Sequence, residues 1–246
     1  MSYAKRTGVA SLRAILVRAL FALPLFCAAV AIADDAASTS PQVMVMVPAA
    51  APPLRDLPSQ LEQWRADGLT VRSIQLDATR QEQPAFSTLL ILEMPTESAL
   101  SRWQELQRLP KDARIRRVDS ATQFGDLSNA APDALFEVNA YRIKTSDEQY
   151  RRFCDEYIEP LMGGQIEQRL MSAYTMYIER DEKGERWSVL VKAYRDARTY
   201  EELVPEAKLA LRARLEAQHP TYPKWHPIKS QYRDDVSETL AARVRE

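Results

Sequence analysis

The sequence predicts an α+β fold in which two βαββαβ units follow one another in one chain, with their antiparallel sheets packed face to face. Three observations lead there. Phe136–Ile143, FEVNAYRI, opens a series of six elements over residues 135–233, and residues 41–124 carry the same series at similar lengths. A matched order of six elements is a stronger sign than any single element. Between the two series, residues 125–134 begin GDLSNAAPD, the small and polar composition of a linker.

The first 33 residues stand apart from this pattern. Lys5, Arg6, Arg13 and Arg18 precede the apolar run Ala19–Val30, and Ala31-Ile32-Ala33 then offers an A-x-A cleavage site. This is the pattern of a secretory signal peptide. The expectation is an exported chain, periplasmic or secreted, with no membrane span after cleavage, because the apolar run is shorter than the ~20 residues a bilayer needs. Cys27 follows Leu25 and Phe26 rather than a small residue, so it does not resemble a lipid-attachment site. Cys154 is then the only thiol left, and its helical position predicts a packed, inert side chain. The formal net charge is −1, and removing the leader takes four positive charges with it. That argues against a nucleic-acid partner and against a polybasic membrane patch.

The elements follow in order. Residues 34–40, DDAASTS, have nothing to bury and are expected to form a disordered lead-in. Gln42–Val47, QVMVMV, is apolar at every second position on both faces, which predicts a strand covered on both sides. Leu57, Leu61 and Trp64 fall at i, i+4 and i+7, so residues 54–67 form a helix that stops at Gly68. Residues 69–76 and 85–94 read as a hairpin of strands. Leu100, Trp103 and Leu106 mark a second helix, and residues 113–124 a fourth strand.

In the second series, Ser146 and Gln149 make a capping box, and Tyr150, Phe153, Cys154, Tyr157 and Leu161 form one helical face that ends at Gly163-Gly164. Residues 170–178 and 186–194 are strands joined by a turn. Thr199 and Glu202 suggest another capping box, with Val204, Ala207, Leu211 and Leu215 as the buried stripe and Pro205 an awkward early residue. Residues 222–232 are expected to close the unit as its last strand. Val236, Leu240 and Val244 make the tail, residues 234–246, a short docking helix.

Two such units point to ferredoxin-like folding, and with these elements the chain resembles the dimeric α/β-barrel superfamily, which includes antibiotic-biosynthesis-monooxygenase-like and NIPSNAP-like proteins. The resemblance covers most of residues 41–233 and implies that the two sheets close a barrel. It rests on element order and carries no catalytic motif, so it bears on the fold rather than the function.

One sheet face suggests a site. In the second unit Val138 and Ala140 alternate with Glu137, Asn139 and Tyr141, and Val189, Val191 and Ala193 alternate with Leu190, Lys192 and Tyr194. The polar set is expected to face the barrel interior. Asn139, Tyr141, Lys192 and Tyr194, with Tyr174 and Met176, would then line a half-polar cavity suited to a small aromatic or lipophilic ligand. The same pattern would also arise from a face that is simply wetted. A lysine on a central strand implies either a wet cavity or a carboxylate partner such as Glu137.

His219 and His226 are the only histidines, too few for an ordinary metal centre, and no metal is expected. A single histidine suffices for haem, and the chlorite-dismutase-like and dye-decolourising-peroxidase-like haem proteins also pair ferredoxin-like repeats. No specific haem motif is present, so no cofactor is expected, with haem as the alternative. Gly163-Gly164-Gln165 resembles the GGQ of peptide release, a ribosomal chemistry, and helix termination accounts for it. No glycine remains for a phosphate-cradling loop, and no G-x-S-x-G is present. The function expected is an exported small-molecule binding or interaction protein. The alternative is a cofactor-free or haem-dependent oxidoreductase in which Tyr141, Lys192 or His226 positions or protonates a substrate.

Overall fold

The computed structural model describes residues 40–51, 54, 56–79, 83–180 and 185–244. The expected signal peptide, and all of the polar lead-in except Ser40, lie outside them. The strands are β1 (Gln42–Val47), β2 (Arg72–Ala78), β3 (Thr88–Glu93), β4 (Arg114–Phe124), β5 (Leu135–Ile143), β6 (Met171–Glu179), β7 (Trp187–Tyr194) and β8 (Arg233–Arg243). They close into an antiparallel barrel in the order β1-β3-β2-β8-β5-β7-β6-β4. Each half contributes a sheet of the same order, β4-β1-β3-β2 and β8-β5-β7-β6, and the halves join at β2–β8 and β4–β6. The most apolar strands, β1, β3, β5 and β7, are central in their sheets, which is where burial on both faces is required.

Inside the barrel lie Met44, Leu89 and Ile91 from one sheet and Phe136, Val138, Val191 and Tyr177 from the other. An eight-stranded barrel is just wide enough for side chains to fill it. One end is plugged by the connection between the halves. Its Leu127, Ala130 and Ala134 are buried in the same cluster, around a 3₁₀ turn (Leu127–Asn129) capped by Asp126. Gly125 has φ +65°, and a Cβ there would stand 2.8 Å from the Ser172 carbonyl, so the turn into this plug requires glycine.

Helices cover the outside of each sheet. In the first half, α1 (Leu57–Ala66) and α2 (Glu97–Leu106) seal Val43, Val45, Leu90 and Leu92, with Trp64 and Trp103 meeting edge to face at 5.6 Å. In the second half, three longer helical elements lie over β5, β6 and β7. α3 spans residues 147–167, α4 residues 197–218 and α5 residues 222–232. The Ser146–Gln149 capping box starts α3 as the sequence predicts.

Both long helices contain a π turn, Cys154–Ile158 in α3 and Thr199–Leu203 in α4, shown by the i to i−5 bonds Glu159 N–H to Cys154 O and Val204 N–H to Thr199 O. A proline follows two residues after each turn, Pro160 and Pro205. Proline has no N–H to give the i−4 carbonyl and its ring clashes with that carbonyl, and a widened turn relieves both problems. The Glu156 carbonyl left over by Pro160 accepts from the Thr221 hydroxyl at 2.9 Å, which docks the start of α5 onto α3.

Four sequence expectations are corrected. Gly163-Gly164 does not end a helix, since α3 runs on to Glu167. Thr199 is not an N-cap, because the helix has begun by Ala197 and Asp196 Oδ1 accepts from the Thr199 amide at 2.6 Å. Residues 222–232 are helical rather than a strand, with prolines at first-turn positions that need no N–H. The tail is not a helix but β8, the strand that joins the two halves.

The glycine pair gives a sharp test of the α3–α4 packing. A Cβ on Gly164 would lie 2.8 Å from Leu211 Cδ2 and nearer still to Cδ1, whereas one on Gly163 meets nothing within 4 Å. Gly163→Ala is expected to stabilise by ~0.5–1 kcal/mol through helix propensity. Gly164→Ala should instead cost ~1–3 kcal/mol by overpacking against buried Leu211. Urea denaturation of the two variants with equal m-values reads the difference directly.

Candidate functional site

The polar face of β5 and β7 points away from the barrel. Phe136, Val138, Val191 and Ala193 belong to the interior cluster, whereas Tyr141, Tyr174, Met176, Leu190 and Tyr194 belong to the cluster beneath the helices. The expected alternation is therefore present but its two sides are exchanged. A filled, closed barrel offers a lysine or a carboxylate no solvent, whereas the cleft adjoining these strands lies under the helices.

That space is a cleft of about 320 Å³ between β5, β7 and β8 on one side and α3, α4 and α5 on the other. Asn139, Tyr141 and Lys192 line it, together with Glu137. Tyr157, Ile158, Leu161 and Met162 of α3 form its apolar wall, and the π turn is what presents Tyr157 and Ile158. Lys208 and Arg212 come from α4, Lys229 from α5, and Arg233, Asp235 and Glu238 from β8.

The floor is a buried ion pair. Lys192 Nζ donates to Glu137 Oε1, and both side chains are almost wholly buried. The Tyr194 hydroxyl donates to Glu137 Oε2 at 3.0 Å and also approaches Gln165 Oε1 at 3.4 Å. The carboxylate partner inferred for Lys192 is thus the one present. Burial pushes the Lys192 ammonium down to about 8, against the opposing pull of Glu137. Burial also raises Glu137, but the charges of Lys192 and Lys208 and the hydrogen bonds from Lys192 and Tyr194 outweigh it and hold the carboxyl below its ordinary range. Tyr194 is raised by burial and by the adjacent Glu137.

Around this floor the polar groups are incompletely satisfied. Asn139 Nδ2 donates to Glu238 Oε2 at 3.1 Å, which fixes the amide orientation and leaves Oδ1 buried with no partner in the protein. Arg233 lies with its guanidinium 3.6 Å from the centre of the Tyr141 ring, and its Nη1 is buried without an acceptor. Arg212 Nε is in the same position. Among the described residues seven buried side-chain polar atoms lack a partner, and three of them sit on side chains lining this one cleft.

The other expected site residues fall outside the cleft lining. Tyr174 and Met176 are core residues of β6, with the Tyr174 hydroxyl 3.3 Å from Thr122 Oγ1. Tyr194 acts from behind, through Glu137. His226 stacks on Tyr222, with Nδ1 3.1 Å from the Tyr157 hydroxyl and Nε2 3.5 Å from Glu216. Both ring nitrogens face protein groups, and burial lowers the imidazole below its usual range. Among the described residues no group of three or more His, Cys, Asp or Glu side chains is placed to hold a metal. Cys154 is buried and its thiol is pushed up to about 12 by burial, so it packs rather than reacts.

Lys208, Arg212, Lys229 and Arg233 are missing from the sequence expectation because they lie on three separate elements. One signal was readable: Lys208 and Arg212 are four residues apart and so share a face of α4. A smaller depression of about 80 Å³ sits at a barrel mouth beside Arg72, Glu93 and Asp126. Arg72 pairs with both acids, at 3.6 and 3.4 Å, so its charges are already matched.

No protein-family model matches the sequence, and no curated protein is similar to it. Solved structures align over most of its length at low identity. An anthrone oxidase-like protein shares 13% identity over 84% of this chain and 92% of its own, with a TM-score of 0.47. A monooxygenase-like protein from Listeria innocua shares 10% over 85% and 96%, with a TM-score of 0.40. A ferredoxin-fold protein from Listeria monocytogenes 4b F2365, described as related to antibiotic biosynthesis monooxygenases, shares 10% over 85% and 96%, with a TM-score of 0.39. Likenesses at this level bear on neither activity nor ligand, and the α+β barrel rests on the strand order itself.

Proposed function

We propose that this chain is a small-molecule-binding protein whose ligand occupies the cleft between the second sheet and its helices. The observation that carries the reading is the gathering of three unpartnered polar atoms on Asn139, Arg212 and Arg233 around one cleft. Buried polar groups without partners are costly, and a ligand that supplies the missing partners recovers that cost. The asymmetry between the halves supports it: α1 and α2 cover their sheet with a regular, tryptophan-centred apolar core, while α3 and α4 carry π turns, which recur at functional sites.

A calorimetric screen of small aromatic and lipophilic compounds tests the location. Met162→Trp, which fills the cleft from its apolar wall, should abolish binding of any hit, whereas a conservative change in the barrel interior such as Val191→Ile should leave affinity within about threefold. Retention of affinity by Met162→Trp, with loss in Val191→Ile, would move the ligand to the barrel and overturn the assignment.

A second, catalytic reading is favoured by Lys192. An amine brought down to about 8 at the floor of a cleft is suited to exchange a proton with a bound substrate near neutral pH.

A further inference from the structure

The charge inventory of the cleft says what kind of ligand it takes. Five cationic side chains line it, Lys192, Lys208, Arg212, Lys229 and Arg233, against three carboxylates. Glu137 is matched by Lys192, one of the five, which leaves four cations facing Glu238 and Asp235. Glu137 receives Lys192 and Tyr194, and Glu238 accepts from Asn139 at 3.1 Å and from Tyr200 at 3.5 Å. The third, Asp235, is 77% exposed and stands 3.9 Å from Arg233 Nε, the limit of an ion pair. Lys208, Arg212 and Lys229 form no ion pair among the described residues, and all three are half-buried. An excess of half-buried positive charge on a chain of net charge −1 is a local arrangement, not a reflection of composition.

Arg233 sharpens the point. Its side chain is only 11% exposed, it lies over Tyr141, and its Nη1 has no acceptor. Arg212 Nε, on the opposite wall, is likewise a donor without an acceptor. Both unpaired donors belong to guanidinium groups, whose planar fork matches a carboxylate in two parallel hydrogen bonds. The remaining wall, Tyr157, Ile158, Leu161, Met162 and Leu190, offers a bare oxyanion nothing but suits an apolar body. A volume of about 320 Å³ sets the size at the small end of ligand sites.

We propose that the ligand is a small amphipathic organic acid, its carboxylate held between Arg233 and Arg212 and its apolar body laid on the α3 wall, with Asn139 Oδ1 accepting from a hydroxyl or amide of the ligand where it has one. This rests on the reading of the cleft as a ligand site, and the two fail differently.

The test is isothermal titration of the full chain with benzoate, 1-naphthoate and decanoate, each paired with its primary amide, and with inorganic phosphate. At least one acid should bind ten times or more tightly than its amide, with phosphate showing no measurable binding. Arg212→Gln, at a half-buried position where folding should survive, should weaken that acid at least tenfold and leave the amide unchanged. Arg233→Met should do the same, its folding checked by a cooperative melt. Amides binding as well as acids, or acids indifferent to both arginine variants, would overturn the anion assignment while leaving a ligand cleft in place. Phosphate binding as tightly as the best acid would make it a plain oxyanion site and overturn the amphipathic part. If neither acids nor amides bind, both this inference and the cleft assignment fall.

Discussion

Replacing Lys192 by methionine should cost the protein ~3–5 kcal/mol, because it strands the Glu137 carboxylate in the wall between sheet and helices. Replacing both partners, Glu137→Leu with Lys192→Met, should return most of that loss or exceed the wild type, since a well-packed apolar pair carries no desolvation penalty. The acid limb gives an independent check. In the wild type the Glu137 carboxyl is held below its ordinary value, so its contribution is complete above that value and is lost as pH falls through the lowered one. In Lys192→Met the strongest opposition to burial is gone and only Lys208 and Tyr194 remain against it, so the carboxyl moves up and protonation relieves the variant first. The stability gap should therefore narrow on going from pH 7.5 to pH 4.5. Urea melts at both values measure it, and a gap that widens in acid would refute the pairing.

The second large effect is expected in β8. Ala241 is fully buried in the barrel and pairs with Phe136, whereas its neighbour Ala242 is exposed. Ala241→Lys should cost more than ~4 kcal/mol by burying an unpaired charge, and Ala242→Lys, beside Asp77 of β2, should fall within ~0.5 kcal/mol of the wild type. Removal of residues 233–246 should go further and yield aggregated protein, because it bares the facing edges of β2 and β5 together. A helical tail would show neither the alternation nor the loss. Thermal melts and size-exclusion profiles of the three variants decide between them.

What the sequence made legible, and what it did not, follows from the kind of information each feature carries. The double series of elements predicts the barrel because periodicity is local and the strand order follows from repeating it. The tail misled because Val236, Leu240 and Val244 are spaced by four, a number that fits one face of a helix and equally one face of a strand. Their neighbours Thr239 and Ala241 are the buried residues. Residues 222–232 carry prolines that look extended in sequence yet sit where a helix start tolerates them. The polar face of β5 and β7 was read correctly as a face, but alternation distinguishes two sides without saying which one meets the helices. Only closure of the barrel, a long-range property, decides that. The cleft cations lay beyond reach for the same reason, since nothing local links Lys208 to Arg233.

The two π turns carry one further consequence. A π turn is an α-helix with a single additional residue, taken up by widening the turn so that the residues after it keep the phase of the surrounding helix. Removing one residue from Cys154–Ile158 would narrow the turn and change which side chains of that turn reach the cleft wall where Tyr157 and Ile158 now stand, while Leu161, Met162 and every strand of the barrel kept their places. Barrel and cleft wall are therefore specified by different parts of the chain: strand pairing sets the first, and a count of one residue in α3 alters part of the second.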